Sequence, residues 1–165
     1  MNRTSLFRLA VAVALSYATA GVGAALTELG PWYFSLRQPE WKPPDAAFGV
    51  IWTAIFTLCA ISGWLAWQAC ETRAQRWRVA FLFGLNAGLN VLWSALYFKW
   101  QRPDWALIEV VFLWASIVLL VLGLWRLSRW ASGLLLPYWV WVSIASVLNY
   151  QTTVLNGPFG GLPTP

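Results

Sequence analysis

Five apolar runs, each long enough to cross a lipid bilayer, set what this chain can become. They cover about residues 6–26, 46–68, 79–98, 105–125 and 131–155 of a 165-residue sequence. A hydrocarbon core of about 30 Å takes roughly 20 helical residues. Inside it every backbone N–H and C=O must be satisfied within the segment, and helices do this. The expected fold is an all-α integral membrane protein, a five-transmembrane-helix bundle over residues 1–155 with a flexible tail at 156–165. Only 10% of residues are charged, against roughly 25% in soluble domains, so the apolar surface belongs to lipid. Arg3, Arg8 and Ala18-Thr19-Ala20 also fit a secretory signal peptide, but the run stays apolar past Ala20 to spanning length.

Orientation follows from the basic residues. Arg3, Arg8, Arg73, Arg76, Arg78, Arg126 and Arg129 fall on the amino-terminal side of the five spans. Arg37, Lys42, Lys99 and Arg102 fall on the other. The positive-inside bias therefore puts the amino terminus in the cytoplasm; a bacterial cell membrane is the expected location. The net charge of +5 is scattered over short loops, which argues against a nucleic-acid partner. Cys59 and Cys70 lie about 16 Å apart if they share one helix, too far to pair. No metal-binding spacing is present.

One stretch is neither span nor ordinary connector. Pro31 to Trp52 carries Trp32, Trp41 and Trp52 with Pro31, Pro39, Pro43 and Pro44. Each Pro fixes φ and pushes its predecessor toward extended backbone, so the loop is stiff and bent. It reads as a formed lid, or as a connector whose Trp residues sit at headgroup level.

Helical spacing then gathers residues onto faces. Phe48, Trp52, Ile55 and Cys59 share one in the second run. Asn86, Asn90, Trp93 and Tyr97 share one in the third. Tyr138, Trp141, Ala145 and Asn149 share one in the fifth. Amides in hydrocarbon are costly unless paired, so Asn86 and Asn90 point into the bundle, as interhelical glue or as a polar wall of a ligand cavity. Gly84, Ala87 and Gly88 make a small-residue patch of the kind that lets two helices meet, and predict a homodimer. Ala10, Ala14 and Ala18 form a similar stripe. Trp64 and Trp67 look like interface anchors. Glu109 reads as reaching the interface, with a buried proton carrier as the sharper alternative.

These residues carry a resemblance. Trp32, Tyr33, Leu36, Pro39, Trp41, Pro43, Pro44, Phe48 and Trp52 meet one ordered pattern. Leu89-Asn90 with Trp93, and Pro137-Tyr138 with Trp141, Ala145 and Leu148-Asn149, follow in order. Together they resemble the translocator protein / tryptophan-rich sensory protein family (TspO/MBR, peripheral-type benzodiazepine receptors) over about residues 6–155. The resemblance implies a compact, usually dimeric five-helix bundle whose hydrophobic pocket is closed by the first loop. It implies ligands among porphyrins, cholesterol and synthetic isoquinoline carboxamides, and in some members porphyrin degradation. Two departures stand out. Asn86 replaces the Gln of many relatives, and no Lys or Arg follows Tyr150, which argues against a sterol consensus.

The residue types fit a flat apolar ligand with carboxylates, such as a protoporphyrin IX-like tetrapyrrole. Trp32, Trp41, Trp52, Trp93 and Trp141 offer stacking faces and indole donors. Asn90 and Asn149 offer directional contacts, and Arg37 or Lys42 a cation for a carboxylate. Without His or internal Met, axial haem ligation would fall to Cys59 or a Tyr, so a metal-free ring fits better and no cofactor is required. The leading expectation is a membrane receptor or sensory protein with porphyrin, other flat hydrophobic molecules and membrane lipid as partners. One alternative is a light- and oxygen-dependent porphyrin-degrading enzyme using the Trp52 and Trp141 indoles. The other is a tetrapyrrole or sterol transporter, without the repeats or broken helices usual for transporters.

Overall fold

A computed structural model describes residues 2–159. Seven helices follow in order: α1 Arg3–Leu26, α2 Pro31–Ser35, α3 Asp45–Gln68, α4 Arg73–Ser94, α5 Pro103–Trp125, α6 Arg129–Gly133 and α7 Leu136–Asn156. A π-helical turn, Ala95–Lys99, extends α4. Five membrane spans result: α1, α3, α4 with its π turn, α5, and α6 with α7. The described residues contain no strand.

Local signals set the helix ends. Asn2 caps α1 by accepting from the Ser5 N–H at 2.8 Å. Thr72 and Gln75 form a capping box, so α4 starts at Arg73 rather than at the expected 79. Ser128 caps α6, and Pro103 and Pro137 sit in the first turns of α5 and α7, where a missing N–H costs nothing. The Pro/Trp stretch is not all loop: Pro31 starts the short helix α2. Of the expected tail at 156–165, Asn156 is the last residue of α7, and the residues from 160 onward lie outside the described residues.

The spans close into a ring in the order α1, α3, α6/α7, α5, α4 and back to α1. Its centre holds one apolar cluster built on Ile55, Val110, Leu113, Ile117, Tyr138, Trp141 and Val142. A second, around Leu120, Leu124 and Leu135, fills the amino-terminal-side end. Lipid is as apolar as Leu, so hydrogen bonds and close packing hold such helices together, at about 0.6 kcal/mol per interhelical bond. Here they include Asn86 Nδ2 to Ser116 Oγ (2.8 Å), Asn90 Nδ2 to Tyr138 Oη (3.1 Å) and Trp114 Nε1 to Ser143 Oγ (2.9 Å). Ser62 Oγ donates to the Ala131 carbonyl at 2.6 Å and Ser132 Oγ to the Val121 carbonyl at 2.7 Å, which fastens α6 between α3 and α5.

Two expectations change here. Ala10, Ala14 and Ala18 face outward, because α1 rests on α3 through Ser16, Tyr17 and Ser5 instead. Glu109 is buried rather than at the interface, and neither carboxyl oxygen has a hydrogen-bond partner.

Candidate ligand site

The three aromatic faces meet beneath the first loop. α3 and α7 run antiparallel, and their rings interleave in register. Phe48 meets Trp141 edge-on at 5.6 Å, and one turn further Trp52 meets Tyr138 at 6.0 Å. From α4, Trp93 stacks on Tyr97 at 5.1 Å and 27°. Trp32 reaches over from α2 to touch Tyr97 edge-on at 6.3 Å. The π turn widens the helix by one residue and turns both Leu96 and Tyr97 inward, where both are buried. Such turns recur at functional sites.

The loop is fastened over this cluster by the last two turns of α7. Asn156 accepts from the Arg37 N–H (2.7 Å) and donates to the Arg37 carbonyl (2.8 Å). Trp41 Nε1 donates to Gln151 Oε1 at 2.7 Å, and Thr152 Oγ1 to Gln38 Oε1 at 3.3 Å. At the other edge Asp45 Oδ1 receives both Tyr33 Oη (2.6 Å) and Lys42 Nζ (2.5 Å). Burial, and then the Asp45 carboxylate, push the Tyr33 hydroxyl above the ordinary tyrosine value, so it stays a donor.

Several buried polar atoms in and around the cluster have no partner among the described residues. They are the indole N–H of Trp93 and of Trp141, Gln38 Nε2 and Asn149 Oδ1. Asn149 uses its amide nitrogen on the Pro103 carbonyl at 3.0 Å, which leaves its oxygen unused. A buried donor or acceptor left unmade costs about 1–3 kcal/mol.

A separate cavity of about 510 Å³ lies on the amino-terminal side, among α1, α3 and α4. Asn86, Asn90 and Tyr138 line its deep wall; Gly84 and Ala87 line its α4 side. Tyr138 thus faces both regions, with its ring on Trp52 and its hydroxyl on Asn90.

The expected site residues therefore divide. Trp32, Phe48, Trp52, Trp93, Tyr97, Tyr138 and Trp141 come together, with Asn149 buried nearby and Ala145 half-buried between Trp141 and Asn149 on the same helix. Trp41 and Pro44 are exposed on the loop, and the Trp41 indole N–H is already used on Gln151. Lys42 is tied to Asp45 and lies over the Tyr33 and Phe48 rings. Arg37 makes no ion pair among the described residues and remains available at the rim. Gly88 is exposed, and an added Cβ there or at Gly84 would meet nothing within 4 Å. Cys59 lines the cavity. The fastening residues Gln38, Gln151, Thr152 and Asn156 did not emerge from sequence; their polarity in the last turns of an otherwise apolar span was the available signal. Trp64 and Trp67, expected as interface anchors, line the cavity as well.

Five membrane-spanning helices in a closed ring, with an aromatic cluster under a stiff loop, define the class as an all-α integral membrane protein. The chain belongs to the TspO/MBR family, whose model matches residues 10–155. It is 36% identical over 163 residues to the tryptophan-rich protein TspO of Chlorobaculum tepidum, covering 94% of this chain and 99% of that one. It is 34% identical to the tryptophan-rich protein TspO of Archaeoglobus fulgidus, again covering 94% and 99%. The human translocator protein is 26% identical over 122 residues, 72% of this chain and 71% of that one.

Proposed function

We propose that this membrane protein is a receptor for a flat hydrophobic ligand of the metal-free tetrapyrrole class. The ligand inserts between the α3, α4 and α7 aromatics and is covered by the first loop. The observation that carries the reading is the set of unpartnered polar atoms at Gln38, Trp93, Trp141 and Asn149. Indole and amide N–H groups suit the acceptor nitrogens and carboxylates of such a ring, the Asn149 oxygen suits its pyrrole N–H, and Arg37 at the rim suits a carboxylate. The amino terminus lies in the cytoplasm of a bacterial cell, and the loop faces outward. The protein works as a homodimer through the Gly84–Gly88 face of α4.

Titrating protoporphyrin IX against tryptophan fluorescence tests the site. One aromatic stacking contact contributes roughly 0.5–1.5 kcal/mol, so Trp141→Phe weakens binding severalfold and Trp141→Ala weakens it more. Trp125→Phe, at an exposed ring on the opposite side, leaves it unchanged. Equal affinities in Trp141→Ala and Trp125→Phe would move the site away from this cluster.

A further inference from the structure

The 510 Å³ cavity is not the space under the loop. α1 and α4 run parallel and approach closely at their loop-side ends, where a Cβ on Gly23 would sit 3.7 Å from Ser94 Oγ. Toward the amino-terminal side they part. α1 is held to α3 there, by Ser16 Oγ on the Phe56 carbonyl (2.6 Å), Trp64 Nε1 on the Ser5 carbonyl (3.2 Å) and Gln68 Nε2 on Ser5 Oγ (2.5 Å). The crevice between α1 and α4 is therefore left open. Exposed Phe7, Val11 and Leu15 form its α1-side rim, so it opens sideways between α1 and the α4 face proposed for the dimer.

We propose that this crevice binds a single-chain amphiphile with an anionic head, of the fatty-acid class. The head sits at Arg8, and the chain runs along α1 toward Asn90. Three observations set that chemistry. First, Arg8 is the one charged residue of the lining. It donates to Gln68 Oε1 at 3.1 Å but forms no ion pair among the described residues. An arginine with free N–H groups beside Trp64 and Trp67 is built for a carboxylate or phosphate at headgroup depth. Second, the lining from Phe7 to Thr19 spans about 18 Å of helix, an elongated rather than compact shape. At roughly 30 Å³ per methylene-sized group, about the share of one water, the volume takes on the order of 17 heavy atoms, one chain and not two. Third, the polar groups at the deep end are engaged. The amide nitrogens of Asn90 and Asn86 are taken by Tyr138 and Ser116, and the lining between Arg8 and that end is largely apolar. The inference stands apart from the aromatic cluster and does not depend on a tetrapyrrole binding there.

The test uses the full chain in nanodiscs of phosphatidylcholine with a photoreactive diazirine palmitate, mapped by mass spectrometry. Labelling falls on the α1 and α4 segments lining the crevice, and it is displaced by unlabelled palmitate. Palmitate and lysophosphatidate compete, which separates the carboxylate and phosphate sources of the head by their relative strength, while methyl palmitate competes far more weakly. Arg8→Gln weakens competition by palmitate about tenfold, the scale of one hydrogen bond to a charged group, and leaves methyl palmitate unchanged. Arg3→Gln, at an exposed site outside the lining, changes neither. Ala12→Trp, which fills the crevice from the α1 side, abolishes the displaceable labelling. Label spread over the outward faces of all five spans, or competition by methyl palmitate as strong as by palmitate, would overturn the proposal. Porphyrin affinity unaltered in Arg8→Gln, with palmitate binding unaltered in Trp141→Ala, keeps the two sites distinguishable.

Discussion

Asn156→Ala is the substitution that reads the loop directly. The Asn156 amide closes both backbone groups of Arg37, at 2.7 and 2.8 Å, and donates a further bond to the Thr152 carbonyl on its own helix. Two of the four hydrogen bonds that hold the loop to α7 therefore pass through one side chain. A net hydrogen bond contributes about 0.5–1.5 kcal/mol, and at this half-exposed site water replaces part of it. Losing both bonds should cost about 1–2 kcal/mol of loop closure, or roughly a 5- to 30-fold larger open population. Amide hydrogen exchange in nanodiscs measures it. The amides to watch are Phe34 and Lys42, whose own acceptors are the Gly30 and Pro39 carbonyls within the loop region. Arg37 loses its partner in any case and says nothing. If the loop opens as a unit, exchange at Phe34 and Lys42 rises by that factor. Gln151→Leu, which removes only the Trp41 bond, gives a smaller rise. Acceleration at Arg37 alone, with Phe34 and Lys42 unchanged, would show that the loop keeps its seat without α7 and would refute the reasoning.

Gly88→Leu is expected to yield monomers in mild detergent; a Cβ there meets nothing within the chain, so an unchanged dimer places the contact elsewhere. Reporter fusions at the carboxyl terminus should be active only outside the cytoplasm. That expectation rests on the count of basic residues alone, seven on the amino-terminal side against Arg37, Lys42, Lys99 and Arg102 on the other. Glu109→Gln keeps the shape of a buried carboxyl that has no partner and removes the cost of burying its charge. Its melting temperature in detergent should rise, and a fall would reveal that Glu109 holds a partner.

The five spans were readable because lipid imposes one rule on every segment that crosses it. The inward faces were readable for a related reason. Asn86, Asn90, Tyr138 and Asn149 are too polar to face lipid, and their spacing put them on common stripes; all four are buried. Small residues carry no such signal. Ala10, Ala14 and Ala18 suit a helix contact and lipid equally, and composition could not tell that α1 leans on α3 by another face. The start of α4 was missed because its first turn is rich in arginine, and a hydropathy pattern does not register a capping box. The loop fastenings join residues more than 100 positions apart, and no local pattern encodes such a pairing. The lateral crevice depends on how far α1 and α4 diverge, a property of packing rather than of any one residue.

The distribution of satisfied indoles is itself informative. Trp41, Trp64 and Trp114 each find an acceptor: Gln151, the Ser5 carbonyl and Ser143. Trp93 and Trp141 do not, although hydroxyls lie close to each in sequence. Ser94 follows Trp93, and Ser146 lies five residues after Trp141, yet both turn back to carbonyls of their own helices, Asn90 at 3.4 Å and Val142 at 2.7 Å. Trp139, packed against Trp114 between α5 and α7, also lacks an acceptor. Apart from the Glu109 carboxyl on α5, the remaining cases gather around the loop, where Gln38 and Asn149 are also short of a partner. A bundle held mainly by hydrogen bonds of about 0.6 kcal/mol each loses more from one buried unpaired group, at about 1–3 kcal/mol, than one such bond returns. Packing alone would favour a hydroxyl opposite each of these indoles, as Ser143 stands opposite Trp114. Leaving them unanswered beneath a fastened loop makes physical sense when the missing acceptor arrives with a ligand.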